Sequence, residues 1–219
     1  MKKIIMLLMA LCMALPALNA QNNKALNKAL KKEYKEKMKD LKKGGWEIFG
    51  SSRSLDVALL SHYAKLSKES EETYEIVGTC SKFKSKNLGH QTCINNACAI
   101  YAQQAGRQLK GRIVSDMAGN GDDVSGEFDH FYAAYESLVE KELKGELQES
   151  FSLIRSNKDG SYEMQTFFIV SESAATRARI RAYENAAKES AAAQKYAQKV
   201  SNFVREGFKP TTETTPTND

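Results

Sequence analysis

Polar and apolar positions divide the chain into helical and strand-like stretches. The first apolar run, Ile4 to Leu15, follows Lys2-Lys3 and ends at Pro16, with Leu18-Asn19-Ala20 behind it. A positive start, about twelve apolar residues and a small residue at the cut predict a Sec-type signal peptide over residues 1–20. The run is too short for a membrane anchor, which needs about 20 residues. Cys12 sits inside that run behind Leu11 rather than a small residue, so it is not a lipobox cysteine. From Lys24 to Lys43, Ala25, Leu26, Ala29, Leu30, Tyr34, Met38 and Leu41 recur at helical spacing, and Gly44-Gly45 stops the pattern. Trp46 to Phe49 reads as a short strand or an aromatic anchor. Ser52 or Ser54 caps a helix to about Leu66, with Leu55, Leu59, Tyr63 and Leu66 as its stripe.

Thr73 to Phe83 is rich in β-branched and aromatic residues and predicts a strand, with Gly78 marking a bulge or a close approach. The segment KSKNLGHQ predicts a loop, and Thr92 a cap for a helix to about Met117 carrying Ile94, Cys98, Tyr101, Ala105, Leu109 and Ile113. A Gly/Asp-rich loop at 119–123 separates it from a helix over about 124–148. Strands at Phe151–Ser156 and Tyr162–Ser171 flank Asn157-Lys158-Asp159-Gly160, a hairpin signal. Ala174 to about Phe208 predicts one long Ala-rich helix, and residues 210–219 a disordered tail. The expected architecture is α+β: a small antiparallel sheet of about three strands, packed on one face by amphipathic helices. The division is signal peptide 1–20, basic helix 21–45, one domain over 46–209, and the tail.

Charge changes the picture once it is located. The chain carries 32 Lys+Arg against 27 Asp+Glu, a net of +5. Cleavage of the leader removes two lysines. Nine lysines against three acids then place the surplus on residues 24–43, in front of a mildly acidic domain. Lys28, Lys31, Lys32, Lys35, Lys39 and Lys42 are candidate contacts for an anionic membrane surface or an acidic partner. No nucleic-acid-binding motif is present, and export argues against such a partner.

Candidate chemistry is sparse. Cys80, Cys93 and Cys98 remain in the mature chain, and with His90 they form C-x9-H-x2-C-x4-C, a spacing unlike that of standard zinc sites. A disulfide joining Cys80 to Cys98 or Cys93 is expected in an oxidising compartment, and such a loop closure contributes about 3 kcal/mol. Left unpaired, Cys93 in the first turn of its helix would be the reactive thiol. His62 is expected at the surface or partly packed. Asp129-His130, Asp122-Asp123 and Glu71-Glu72 read as helix-capping or solvated groups. No nucleophile elbow, zinc-protease, P-loop or dinucleotide motif occurs, so no catalytic residue and no cofactor are expected.

A strand, a helix with the run CAIYAQQAGRQLKGRIV from Cys98 to Val114, a second amphipathic helix, a hairpin ending Thr166-Phe-Phe-Ile-Val170 and an Ala-rich terminal helix follow in order. This order resembles the family of small Gram-negative outer-membrane lipoproteins that includes a flagellar outer-membrane disc protein. It is also similar to their non-lipidated exported relatives, which begin with a Gly-Trp segment like Gly45-Trp46. The resemblance covers about two thirds of the chain. It implies an exported, non-enzymatic envelope protein in the periplasm or at the outer membrane. Such a protein is a structural, assembly or binding scaffold with an envelope partner or self-association. The alternatives are a membrane-surface module anchored by helix 24–43 and a thiol or metal protein centred on Cys80, His90, Cys93 and Cys98.

Overall fold

The computed structural model describes residues 28–66, 72–117 and 125–188, together with Ser190, Gln194, Val204 and Arg205. The signal peptide, the tail, Glu71 and Asp122-Asp123 lie outside the described residues. Helix α1 (28–43) leads to strand β1 (Glu47–Phe49) and helix α2 (Leu55–Leu66). Strand β2 (Thr73–Phe83), helices α3 (Lys86–Met117) and α4 (Ser125–Leu143), strands β3 (Gln148–Ser156) and β4 (Tyr162–Ser171), and helix α5 (Glu172–Lys188) complete it. The strands form one antiparallel sheet in the order β1-β3-β4-β2. The α+β class is as the sequence implies. Trp46 to Phe49 supplies the fourth strand, and Arg155 stacks 4.7 Å from the Trp46 ring centre.

Helices cover both faces of this sheet, not one. The reason lies in β4, whose adjacent apolar residues point to opposite sides. Phe167 joins Phe151 and Leu153 under α1 and α2, where Met38, Leu41, Ala58 and Leu59 complete a core. Phe168 and Val170 join Ile76 under α3, α4 and α5, with Tyr101, Leu109, Phe131, Tyr135 and Val139. Helix α1 is therefore part of the domain rather than an appendage. Its Met38 and Leu41 are only 6% and 5% exposed.

Three helix boundaries differ from the sequence pattern. α4 ends at Leu143 rather than near 148, and Gln148 already belongs to β3. α3 starts at Lys86, because Ser85 caps it: the Leu88 amide donates to Ser85 Oγ at 3.4 Å and the Gly89 amide to Ser85 O at 2.9 Å. The expected loop KSKNLGHQ thus supplies two helical turns. α5 stops at Lys188, where the Gln194 side chain donates to the carbonyls of Ala187 and Lys188 at 3.3 and 3.2 Å. Arg205 then lies 3.6 Å from Glu184. An unbroken helix would hold residues that far apart in sequence about 30 Å from each other. Arg205 is therefore not on a straight continuation of α5, and Val204 enters the larger core.

β2 and α3 approach unusually closely. A Cβ placed on Gly78 would lie 1.9 Å from the Cys93 carbonyl oxygen, so only glycine fits there. Gly78 marks a close approach. The bulge lies further on, between Cys80 and Phe83, where Lys82 takes φ +56°.

Candidate binding groove

The early start of α3 decides the fate of the cysteines. Cys93 sits well inside the helix, fully buried, and its Sγ donates to the Met164 carbonyl oxygen at 3.6 Å. Burial pushes its thiol up to about 11, the reverse of what a first-turn position would do. Cys98, five residues on, points about 140° away around the helix. Burial, with Glu140 nearby, pushes that thiol up to about 11 as well. Cys80 is half-buried on β2, and all three are free thiols. The expected disulfide through Cys80 is thus absent: Cys80 packs beside Cys93, but the Cys93 thiol is turned to the Met164 carbonyl, and Cys98 belongs to the α3–α4 side. His90 is turned to Glu149, 2.9 Å away. Among the described residues no group of His, Cys, Asp or Glu is arranged to hold a metal.

Glu149 also accepts a 2.5 Å hydrogen bond from the Ser152 hydroxyl, whose oxygen lies 3.0 Å from the Thr166 hydroxyl. A carboxylate stands between serine and histidine here, whereas a charge-relay triad places the imidazole in the middle. Ser152 and Thr166 are buried, so this chain of contacts ties α3 to the sheet. His62 differs from expectation. It is 1% exposed, edge-on to Phe151 and Phe167, with Nε2 2.5 Å from Glu75 Oε2. Its Nδ1 is buried with no hydrogen-bond partner. Asp129 pairs with Lys110 at 3.6 Å, and His130 is exposed.

The most developed polar assembly was not singled out in the sequence. Arg179 of α5 is fully buried. Its Nη1 donates to Tyr101 Oη at 2.5 Å, and its Nη2 to Glu172 Oε1 at 2.5 Å and Thr176 Oγ1 at 2.6 Å. Tyr74 Oη contacts Tyr101 Oη at 3.3 Å and donates to Glu172 Oε2 at 3.1 Å, and the two tyrosine rings stack. Burial works against the Arg179 charge, but Tyr101 and Glu172 outweigh it and hold the guanidinium protonated. Burial first, then Tyr101 and Glu172, raises the Tyr74 hydroxyl above the usual phenol range. A signal was available: Arg179 falls on the same helical stripe as Ala175, Ala182 and Ala186, all buried.

This network forms one end of an open groove of about 450 Å3, lined by Tyr74, Ile76, Ile100, Tyr101, Gln104, Glu172 and, at its mouth, Glu72, Glu75 and Val77. The groove runs along the outer edge of the sheet, because β2 is an edge strand. The Glu172 amide donates to Glu72 O at 2.8 Å, which fixes the phase of the antiparallel ladder. In that phase Thr73, Glu75, Val77 and Thr79 turn their N–H and C=O groups away from β4. Asn96 Nδ2 donates to the Thr79 carbonyl oxygen at 2.7 Å and closes the far end. No described residue hydrogen-bonds the outward main chain of Thr73, Glu75 or Val77. Ile100 is 51% exposed beside them. The arrangement offers main-chain hydrogen bonds beside an apolar wall, which suits an added strand.

The six candidate lysines of α1 are all exposed. Lys32 pairs with Glu36 and Lys42 with Asp56, each at 3.7 Å. Tyr34, Met38 and Leu41 of the helix are turned to the core, and the lysines stand on its outer side. No helix among the described residues is long and apolar enough to cross a membrane. Comparison with family models, with curated proteins and with solved structures finds no match for this chain.

Proposed function

We propose that the chain is an exported, non-enzymatic cell-envelope protein whose α+β domain is a binding scaffold, holding a protein partner in the β2 groove. One observation carries the reading. The outward main chain of Thr73, Glu75 and Val77 borders a cavity of about 450 Å3, and an exposed sheet edge with a pocket beside it is a recurring mode of segment recognition. The groove's polar end supports binding rather than reaction. Tyr74 and Tyr101 are held as neutral phenols, and Arg179 is tied to Glu172. Cys93 and Cys98 are buried with raised pKa values. Export rests on the leader at residues 1–20, and the envelope role on the resemblance.

Site-specific photo-crosslinking in the native cell tests this reading. A crosslinker at Ile100, in the groove, is expected to capture a discrete protein partner in the periplasmic or outer-membrane fraction. A crosslinker at Val114, equally exposed further along α3, is expected to capture none. Equal capture from both positions, or retention of the protein in the cytoplasm, overturns the proposal.

A further inference from the structure

The groove's chemistry also narrows what it holds. We infer that it takes an extended segment of about five residues whose side chains alternate between apolar and basic, added to β2 as a fifth strand. This rests on the groove being a docking site.

The length follows from the edge. Thr73, Glu75 and Val77 are open, while the Thr79 carbonyl is taken by Asn96 and the strand bulges after Cys80. That leaves about five residues, or about 17 Å of strand. The alternation follows from the pleat, because successive side chains of an added strand fall on opposite sides of the sheet. On one side they meet Ile76, Ile100 and the stacked Tyr74–Tyr101 pair. On the other side they meet Glu75 and Val77.

The sign of the charge follows from the mouth. Glu72 and Glu75 line the groove beside Glu172, whose charge is met by Arg179, and among the described residues no lysine, arginine or histidine lines it. Arg179 lies behind Tyr101 and Glu172, fully buried and engaged with both. Glu75 is fixed by His62 through Oε2, which leaves its other oxygen for a cation. A lysine or arginine on the incoming strand answers this field, and an acidic residue is repelled by it.

Titration of the isotope-labelled mature protein with short peptides tests the inference. Acetyl-Lys-Val-Lys-Val-Lys-amide is expected to shift the amides of Glu75 and Val77 saturably. Acetyl-Glu-Val-Glu-Val-Glu-amide is expected to bind about tenfold more weakly or not at all. Proline in place of the central lysine is expected to abolish the shifts, because it breaks main-chain pairing. Glu75→Gln, which keeps a hydrogen-bonding partner for His62, is expected to weaken the basic peptide about fivefold, with the residual binding less sensitive to salt. Equal binding of the acidic and basic peptides overturns the charge preference and leaves the docking site standing. Shifts that follow protein concentration rather than peptide assign the edge to a second copy and overturn the inference. No saturable shift with either peptide overturns it too, and capture at Ile100 then decides separately whether the groove docks anything.

Discussion

Arg179 is the residue on which the groove's polar end depends. It brings a full charge into the core and is answered by Tyr101, Glu172 and Thr176. Removing one member of a buried charge pair leaves the other without its partner. Arg179→Leu is therefore expected to lower unfolding stability by about 3 kcal/mol, and Tyr101→Phe by about 1 kcal/mol, read from urea titrations. A loss below about 1 kcal/mol for Arg179→Leu would contradict the assignment. Glu146 gives a pH prediction. Hydrogen bonds from Arg181 and Arg177 hold its carboxyl below the ordinary value of 4.5, against a smaller opposing effect of burial. The pair thus adds stability at neutral pH. That contribution fades as pH falls below about 4.5 through the lowered folded-state value. Glu146→Gln is expected to make the acid limb of the stability profile shallower, as followed by circular dichroism. At this scale the sequence was only partly legible. The alanine period places Arg179 on a buried stripe, but Tyr101, which meets it there, comes from α3, far away in the chain. The same holds for His62, whose burial depends on Phe151 and Phe167.

Among the elements, β2, α2 and the β3–β4 hairpin fall where the pattern of apolar and turn residues puts them. β4 carries its apolar residues on two faces, and that doubling, visible in Phe167-Phe168-Ile169-Val170, demands helices on both sides of the sheet. The start of α3 was hidden because KSKNLGHQ looks like a turn while Ser85 is the true cap. The end of α5 was hidden because its stop comes from a side chain, Gln194, folding back on the last carbonyls. The alanine period continues past it without a break. The β2–α3 contact predicts a contrast between two glycines. Gly78→Ala would set a methyl carbon against the Cys93 carbonyl and is expected to cost about 4 kcal/mol or prevent folding. Gly111→Ala, on α3 with nothing within 4 Å of the added carbon, is expected to stabilise by about 0.5 to 1 kcal/mol. Thermal melts of the two variants check this. Equal effects would mean that the helix does not rest on the strand.

For the whole molecule, the main revision concerns the basic helix. Composition set it apart as a charged appendage, but Met38 and Leu41 make it one wall of the smaller core. Leu41→Ala is expected to destabilise by about 3 kcal/mol, whereas Lys42→Ala is expected to change stability by less than about 0.5 kcal/mol. Differential scanning calorimetry separates the two roles. With α1 packed inward, the open features of the domain are its lysine-bearing side and, on another element, the edge of β2. Among the described residues this edge is unpaired, and the proposal is that a partner strand completes it. Residue-resolved amide hydrogen exchange on the mature protein tests it most directly. Fast exchange is expected at Thr73, Glu75 and Val77 beside slow exchange at Tyr74, Ile76 and Gly78, with protection of the fast set when the Lys-Val alternating peptide is added. Equal protection of both sets in the free protein would show the edge already covered and would rule out a docking strand there.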